Sequence, residues 1–193
     1  MASEKNARLI ISFLFMSKDY LVYLGLGSNQ DHPQKQLTKA IHHISRLPGT
    51  DIITFSPRYR TRAWGVTDQA DFINTVLVIN TSEKPLGLLN KIKKIEYRLM
   101  GRQKNLRWHQ RCIDIDILYY VNKPYHRRQL QLPHPLIPER CFVLRPLMDT
   151  KPIKLPISIK RVITRHKTCC RALAKQRNVL ENNKIQHIIN NQC

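Results

Sequence analysis

The sequence is short of acidic residues. It contains 13 Asp and Glu against 33 Lys and Arg in 193 residues, which gives a formal net charge of +20. From Lys151 to the end of the chain, Glu181 is the only acid. A field of this sign attracts polyanions, so nucleotides, nucleic acid and anionic membrane surfaces are the expected classes of partner. The length suffices for one domain with a hydrophobic core and for extensions.

The cysteine pattern lacks the features of a disulfide framework or a zinc site. The number of cysteines is odd, two of them are adjacent, and no Cys-x-x-Cys spacing occurs among Cys112, Cys141, Cys169, Cys170 and Cys193. Small secreted domains and structural zinc sites depend on regular cysteine spacings. We therefore expect reduced thiols and a cytoplasmic protein.

A hydrophobic run long enough to cross a bilayer is also missing. The stretch "LIISFLFM" (9–16) follows Lys5 and Arg8 as in a signal peptide, but it is too short to span and lacks a small-residue cleavage site. Met16 lies just before the first predicted strand. We interpret residues 1–18 as an N-terminal appendage and expect no membrane association.

The hydrophobic pattern predicts a β-α-β-β-α-β order. Strands are expected at 20–29, 50–60, 72–81 and 112–120, where β-branched and aromatic residues dominate. Helices are expected before Pro48 and from Pro85 to Gly101, because apolar residues recur there every three or four positions. This order predicts an α+β, ferredoxin-like fold, an antiparallel sheet with both helices on one face. We place this domain at residues 19–165.

Two carboxylates, Asp114 and Asp116, interrupt the apolar run "CIDIDILYY". In a strand, residues two apart share a face, so both carboxylates point away from Ile113, Ile115 and Ile117, which enter the core. Such a pair can hold hard divalent cations, usually Mg²⁺ beside substrate phosphates. For an isolated Asp-x-Asp the alternative, a solvated face of an edge strand, is the favoured interpretation.

A basic loop precedes the acidic pair and favours a nucleotide site. The stretch "GRQKNLRWHQR" (101–111) contains Arg102, Lys104, Arg107 and Arg111. By itself such a loop is an ordinary solvated turn. Next to two metal-binding acids, fixed cations indicate a site for a polyphosphate.

Four stretches together resemble one enzyme family. They are "GLGSN" (25–29), "YRTRAWGVTDQADFINTV" (59–76), "GRQK…RWHQRCIDIDIL" (101–118) and "LPHPLIPERCFVLRPL" (132–147). Their order and spacing resemble those of the 6-hydroxymethyl-7,8-dihydropterin pyrophosphokinases of folate synthesis. The resemblance implies that ATP donates its β,γ-diphosphate to the pterin hydroxymethyl group and that AMP is released. We expect a monomer.

The resemblance also implies roles for individual residues. Asp114 and Asp116 would hold two Mg²⁺ ions, and Arg102, Lys104 and Arg111 would contact the phosphates. His134 and Arg140 would complete the ATP site, with Lys93, Glu96 and Ile117 at positions that contact the nucleotide.

Further residues match the family's pterin site. Phe72 and Phe142 would enclose the flat ring by stacking, and Asn74 can both donate to and accept from its amide-like edge. Thr61 and Trp64 would contribute mainly backbone hydrogen bonds. Without the resemblance, Phe72 and Phe142 would be interpreted as core. For Asn74, a solvent-facing polar residue is an equally compatible interpretation.

The chain departs from the family pattern in the phosphate loop. It has Trp108-His109-Gln110-Arg111 where the family commonly has Trp-Gly-Pro-Arg, so a backbone constraint before Arg111 is missing. Pro135 follows His134 where a tyrosine is frequent, and Gln129 and Gln131 replace an Arg and a Thr of some members.

Two other classes of function are compatible with parts of the sequence. A nucleic-acid module on a ferredoxin-like sheet would need exposed aromatics in a pattern such as "GFGFV", which does not occur. No specific nucleic acid is therefore expected. A catalytically idle relative remains an alternative because of the altered "WHQR".

Residues 166–193 form a basic extension, either an amphipathic tail that docks on the domain or a solvated segment.

Overall fold

A computed structural model of the chain describes residues 19–63, 68–102 and 110–150 and positions 159, 161, 177 and 178. The strands are β1 (Tyr20–Ser28), β2 (Thr50–Phe55), β3 (Arg58–Thr61), β4 (Phe72–Thr81), β5 (Asp114–Tyr120), β6 (Tyr125–Arg127), β7 (Leu130–Leu132) and β8 (Arg177–Asn178). The α-helices are α1 (Pro33–Ser45), α2 (Pro85–Lys94) and α3 (Cys141–Asp149). Within these ranges, every helix is too short or too polar to cross a membrane.

The main sheet has the antiparallel order expected for the fold. β1 lies between β5 and β4, β4 pairs with both β2 and β3, and β8 extends the sheet beyond β3. Strands β6 and β7 form a separate two-stranded sheet. The α+β class and the ferredoxin-like arrangement are therefore confirmed.

Helices α1 and α2 cover one face of the sheet, as predicted. Each begins with a proline at its first position, where the missing N–H has no intrahelical partner to lose. Their apolar stripes pack on alternate residues of β1 and β5 in one core cluster. Its members include Leu24, Leu26, Leu37, Ile41, Leu88, Ile92, Ile113, Ile115 and Ile117.

The opposite face carries a third helix that the hydrophobic pattern did not predict. Val143, Leu144 and Leu147 of α3 pack in a second cluster with the intervening residues of β1, β4 and β5, such as Tyr23 and Leu118. Pro146 stands inside this helix, and proline is normally a helix-breaking signal. In the described part of the chain, α3 covers only part of this second face, and a cavity lies over the rest.

Three local features differ from the predictions. The run 50–60 is two strands, because Ser56 and Pro57 separate β2 from β3 and proline has no N–H for the ladder. A π-helical turn, Ile95–Leu99, continues α2. Cys141 is disulfide-bonded and Cys112 is free and buried, so the expectation of reduced thiols is wrong for Cys141.

The two terminal extensions lie largely outside the described residues. Residues 1–18 are among them, so the interpretation of this segment stays a prediction. The described parts of the C-terminal segment touch the domain, since Ile159 is buried in the cluster under α3 and β8 pairs with β3. This contact favours the docked alternative for at least part of the basic extension.

Candidate active site

The open part of the second sheet face holds a cavity of about 190 Å³. Its floor is the β1–β4–β5 surface, where Gly25 and Gly27 present backbone instead of side chains. One wall is the beginning of α3, and another is the segment that follows β7. Nine residues assigned from the sequence line this cavity: Thr61, Phe72, Asn74, Arg111, Asp114, Asp116, His134, Arg140 and Phe142.

The acidic pair faces the cavity, as strand periodicity predicts. Asp114 and Asp116 both line it, whereas Ile115 and Ile117 are buried on the helical face. Arginines bind each carboxylate: Arg102 lies 2.8 Å from Asp114 Oδ1, Arg111 donates to Asp114 Oδ2, and Arg140 lies 3.2 Å from Asp116 Oδ2. The positive groups that two neighbouring carboxylates require are thus supplied by three arginines.

The donor set of the acidic pair fits Mg²⁺. Carboxylate oxygens are hard ligands, and Mg²⁺ is usually held by one or two carboxylates together with water and substrate phosphates. Among the described residues no group of three or more His, Cys, Asp or Glu side chains is arranged to hold a metal. A metal at Asp114 and Asp116 would therefore take its remaining ligands from a bound substrate and from solvent.

Burial shifts the pKa values of two residues that line the cavity, Asp116 and His134. It raises the pKa of Asp116, and the charge of Asp114 raises it further. Burial also lowers the pKa of His134 below its ordinary value, although Asp116 acts in the opposite direction. The Leu136 N–H donates to His134 Nδ1 over 3.2 Å. The neutral ring therefore carries its proton on Nε2, which is left to donate to a ligand.

The other end of the cavity has the shape and chemistry for a flat polar ring. Phe72 begins β4 and Phe142 stands in the first turn of α3, so aromatic rings approach the cavity from two elements. Asn74 is buried and donates to Thr61 Oγ1 over 2.8 Å, which orients its amide. A Cβ atom on Gly27 would lie 2.6 Å from Asn74 Oδ1, so only glycine leaves that oxygen its position.

Three of the expected residues form a charged cluster beside the cavity, centred on the buried Glu96. The Glu96 side chain is fully buried and accepts hydrogen bonds from Lys93 Nζ at 2.6 Å, from the Ile115 N–H at 2.9 Å and from Arg102. Burial raises the pKa of Glu96, against the effect of Lys93 and Arg102. Arg102 is shared between Glu96 and Asp114. The cluster therefore holds Arg102 against the acidic pair.

Three residues assigned from the sequence remain, of which one is buried in the core and two lie outside the described residues. Ile117 is buried in the core of the helical face, so its side chain points away from the cavity. Trp64 and Lys104 lie outside the described residues. Arg107, Trp108 and His109 of the altered phosphate loop lie outside them as well.

Sequence reasoning missed three residues of the site. Asn29 follows β1 and hydrogen-bonds to segments on both sides of the cavity. Gly27 sets the position of Asn74, and Arg62 lines the cavity next to Thr61. The quoted stretches contain all three, but none has an isolated chemical signal, because their roles depend on partners distant in sequence.

Comparison with known proteins gives a consistent result. The sequence profile described as 7,8-dihydro-6-hydroxymethylpterin-pyrophosphokinase matches residues 23–152. The chain is 42% identical over 130 residues to the 2-amino-4-hydroxy-6-hydroxymethyldihydropteridine pyrophosphokinase of Methylorubrum extorquens, covering 67% of this chain and 82% of that protein. The enzyme of the same name from Aquifex aeolicus is 40% identical over 131 residues, or 68% and 80% of the two chains.

The fold is similar to longer proteins too. The crystal structure of Plasmodium falciparum HPPK-DHPS with pterin and p-hydroxybenzoate aligns with a TM-score of 0.62 at 17% identity, over 83% of this chain. The alignment spans 44% of that longer chain. The profile and the curated relatives, with the cavity residues described above, establish that this chain belongs to the 7,8-dihydro-6-hydroxymethylpterin pyrophosphokinase family.

Proposed function

We propose that the protein transfers diphosphate from ATP to 6-hydroxymethyl-7,8-dihydropterin in folate biosynthesis. The pterin hydroxyl oxygen bonds to the β-phosphorus of ATP, the bond from that phosphorus to the α,β-bridging oxygen breaks, and AMP leaves with the bridging oxygen. The hydroxyl proton is released. One observation carries the proposal: a single cavity joins a carboxylate–arginine end, suited to phosphates, to an aromatic and amide end, suited to a pterin.

Asp114 and Asp116 are the residues that we propose hold two Mg²⁺ ions. When bound, these ions neutralise phosphate charge and increase the reactivity of the hydroxyl group. Both aspartates lie on one rigid strand, which fixes their carboxylates relative to the cavity. Arg111 and Arg102, which now contact Asp114, are within reach of phosphates bound there and would stabilise the charge on the transferred group.

The nucleotide is held by residues around the same end. His134 donates from Nε2, and Arg140 contributes a guanidinium that is already desolvated beside Asp116. Lys104 would join them from the phosphate loop. Glu96 acts through Arg102, which it binds, and Lys93 acts through its ion pair with Glu96. Ile117 is expected to contact the nucleotide through its backbone, since its side chain is in the core.

The pterin occupies the other end of the cavity. Phe72 and Phe142 stack on its faces, and Asn74 binds its amide-like edge with an amide that Thr61 orients. Trp64 would add backbone contacts. We expect nucleotide with Mg²⁺ to tighten pterin binding, because both substrates contact loops beside the same cavity.

Other attributes follow from the proposal. ATP is the co-substrate, and the protein is expected to be a monomer in the cytoplasm, without a membrane or a specific nucleic acid as partner. The disulfide at Cys141 is unusual for a reducing compartment. Measuring the redox state of this thiol in the cell tests the location.

The direct test is product formation. Purified protein mixed with ATP, Mg²⁺ and 6-hydroxymethyl-7,8-dihydropterin should release AMP and pterin diphosphate in equal amounts. Omission of the pterin should abolish AMP release, which distinguishes transfer from hydrolysis. Binding of both substrates without AMP would instead identify a catalytically idle relative and contradict the proposal.

A further inference from the structure

One buried side chain connects the two loops that flank the cavity. Asn29 follows the last residue of β1 and is 5% exposed. Its Nδ2 donates to Gln69 Oε1 at 3.1 Å and to the Ala70 carbonyl at 3.0 Å. Its Oδ1 accepts from the Arg111 N–H at 2.8 Å, and its own N–H donates to the Arg111 carbonyl at 3.1 Å.

The two loops carry groups from opposite ends of the cavity. Ala70 lies two residues before Phe72, which faces the proposed pterin end. Arg111 contacts Asp114 at the phosphate end. The first loop joins β3 to β4 and the second joins the π-helical turn to β5. The bonds of Asn29 span 40 and 82 positions in sequence. Asn29 is thus bonded directly to both loops.

We propose that Asn29 is a positioning residue that couples the pterin-side loop (68–71) to the phosphate-side loop (110–111). Ordering of either loop by its own substrate then restrains the other loop through the Asn29 amide. The proposal rests on the proposed function, because it concerns the two substrates of that reaction. It assigns no contact between Asn29 and either substrate.

Only an amide provides this connection. The role needs an acceptor towards Arg111 and two donated hydrogens towards residues 69 and 70, which asparagine supplies from one planar group. Aspartate would keep the acceptor but would face two oxygens, Gln69 Oε1 and the Ala70 carbonyl, with no hydrogen to donate. Alanine would keep only the backbone bond to Arg111.

Pterin binding with and without nucleotide measures the coupling. Calorimetry gives the pterin dissociation constant without nucleotide and with an unreactive ATP analogue and Mg²⁺. The first constant divided by the second should exceed one in the wild type. Couplings between sites are commonly about 5- to 150-fold. We expect Asn29→Ala to bring this ratio close to one. A ratio unchanged from the wild type would overturn the proposal.

The chain offers a matched control. Asn80 is also 5% exposed, and its Nδ2 donates to Asp19. It lies six residues along β4 from Asn74, about 20 Å at the usual rise of a strand. Asn80→Ala should lower stability as a buried amide loss does, yet leave the coupling ratio intact. A fall in the ratio in both variants would show that the effect is general destabilisation, and would overturn the proposal.

Hydrogen exchange tests the connection without relying on the reaction. In Asn29→Ala, exchange should accelerate at residues 68–72 and at the Arg111 amide, and in Asn80→Ala at neither. Asn29→Asp, the second variant if alanine fails to fold, should accelerate exchange at 68–72 while Arg111 stays protected. Unchanged exchange in either loop of Asn29→Ala would overturn the connection. Absence of AMP from the wild type would overturn the proposed function alone.

Discussion

Gly27 and Asn74 fit together so closely that no side chain can be placed between them: a Cβ on Gly27 would lie 2.6 Å from Asn74 Oδ1. They are paired across β1 and β4. The absence of a side chain at one position thus fixes the amide at the other, at the end of the cavity assigned to the pterin.

Gly27→Ala should therefore weaken pterin binding and leave nucleotide binding nearly unchanged. Displacing Asn74 loses hydrogen bonds to the ring, each worth about 1 kcal/mol, so a drop in pterin affinity of about tenfold is expected. Separate titrations with the pterin and with an unreactive ATP analogue measure this. Gly87→Ala is the control, because its Cβ meets only the flexible Glu83 carboxylate. Equal losses for both ligands would contradict the assignment.

Replacing Asp114 or Asp116 by Asn should remove most turnover and leave the fold intact. Asparagine keeps the size of the side chain and an oxygen that can accept from the neighbouring arginine, whereas loss of a metal ligand costs several kcal/mol of transition-state stabilisation. A fall in AMP production by orders of magnitude is expected. Asp51→Asn, on the exposed side of β2, is the control. Near-wild-type AMP production by either site variant would end the metal assignment.

Glu96→Ala should destabilise the protein far more than Glu96→Gln. Alanine leaves the Ile115 N–H and the half-buried Arg102 without their shared acceptor, and breaking such a buried pair costs about 3–5 kcal/mol. Glutamine retains an acceptor. Urea unfolding measures the free energy of unfolding of both Glu96 variants. Glu83→Ala is the control, because the ion pair of Glu83 with Lys91 is partly exposed and worth about 0–1 kcal/mol. A similar cost for Glu83 and Glu96 would contradict the structural role.

Periodicity and chemistry predicted the parts of the site that lie on one element. The placement of Asp114 and Asp116 opposite Ile115 follows from the two-residue repeat of a strand alone. The role of Asn29 did not follow, because its partners are 40 and 82 positions away and nothing local indicates them. Helix α3 was missed because Pro146 stands within it and its packing on β4 outweighs the local signal.

His43 should contribute a loss of stability as the pH drops below about 6.5. Burial, together with His42, Arg46 and Lys39, lowers the pKa of His43 below its ordinary value. Below pH 6.5 the unfolded chain therefore binds this proton more readily than the folded chain, which favours unfolding. His43→Gln should reduce the difference in melting temperature between about pH 7.5 and pH 5.5. A difference in melting temperature that is the same in His43→Gln as in the wild type would contradict this role of His43.

Truncation after Ile163 should preserve turnover and lower the melting temperature, because the shortened chain keeps only Cys112, which is free, and Cys141, and so also loses the disulfide of Cys141. Every residue that we assign to the reaction lies between Thr61 and Phe142, and Ile159, buried under α3, is retained. The deletion removes β8, whose two residues pair with Arg58 and Tyr59 of β3. A strand this short contributes a few backbone hydrogen bonds of about 1 kcal/mol each.

The same truncation should weaken retention on heparin or nucleic acid at low salt. The deleted segment carries Arg165, Lys167, Arg171, Lys175, Arg177 and Lys184 against Glu181 alone. Such adhesion depends on the number of cations engaged, so the salt needed for elution should fall. A chain ending at Asn178 keeps β8 and five of these six cations, so it should elute close to the full chain and serves as the control. If truncation after Ile163 abolishes both turnover and cooperative melting, the basic segment is part of the fold, and the domain boundary at residue 165 is wrong.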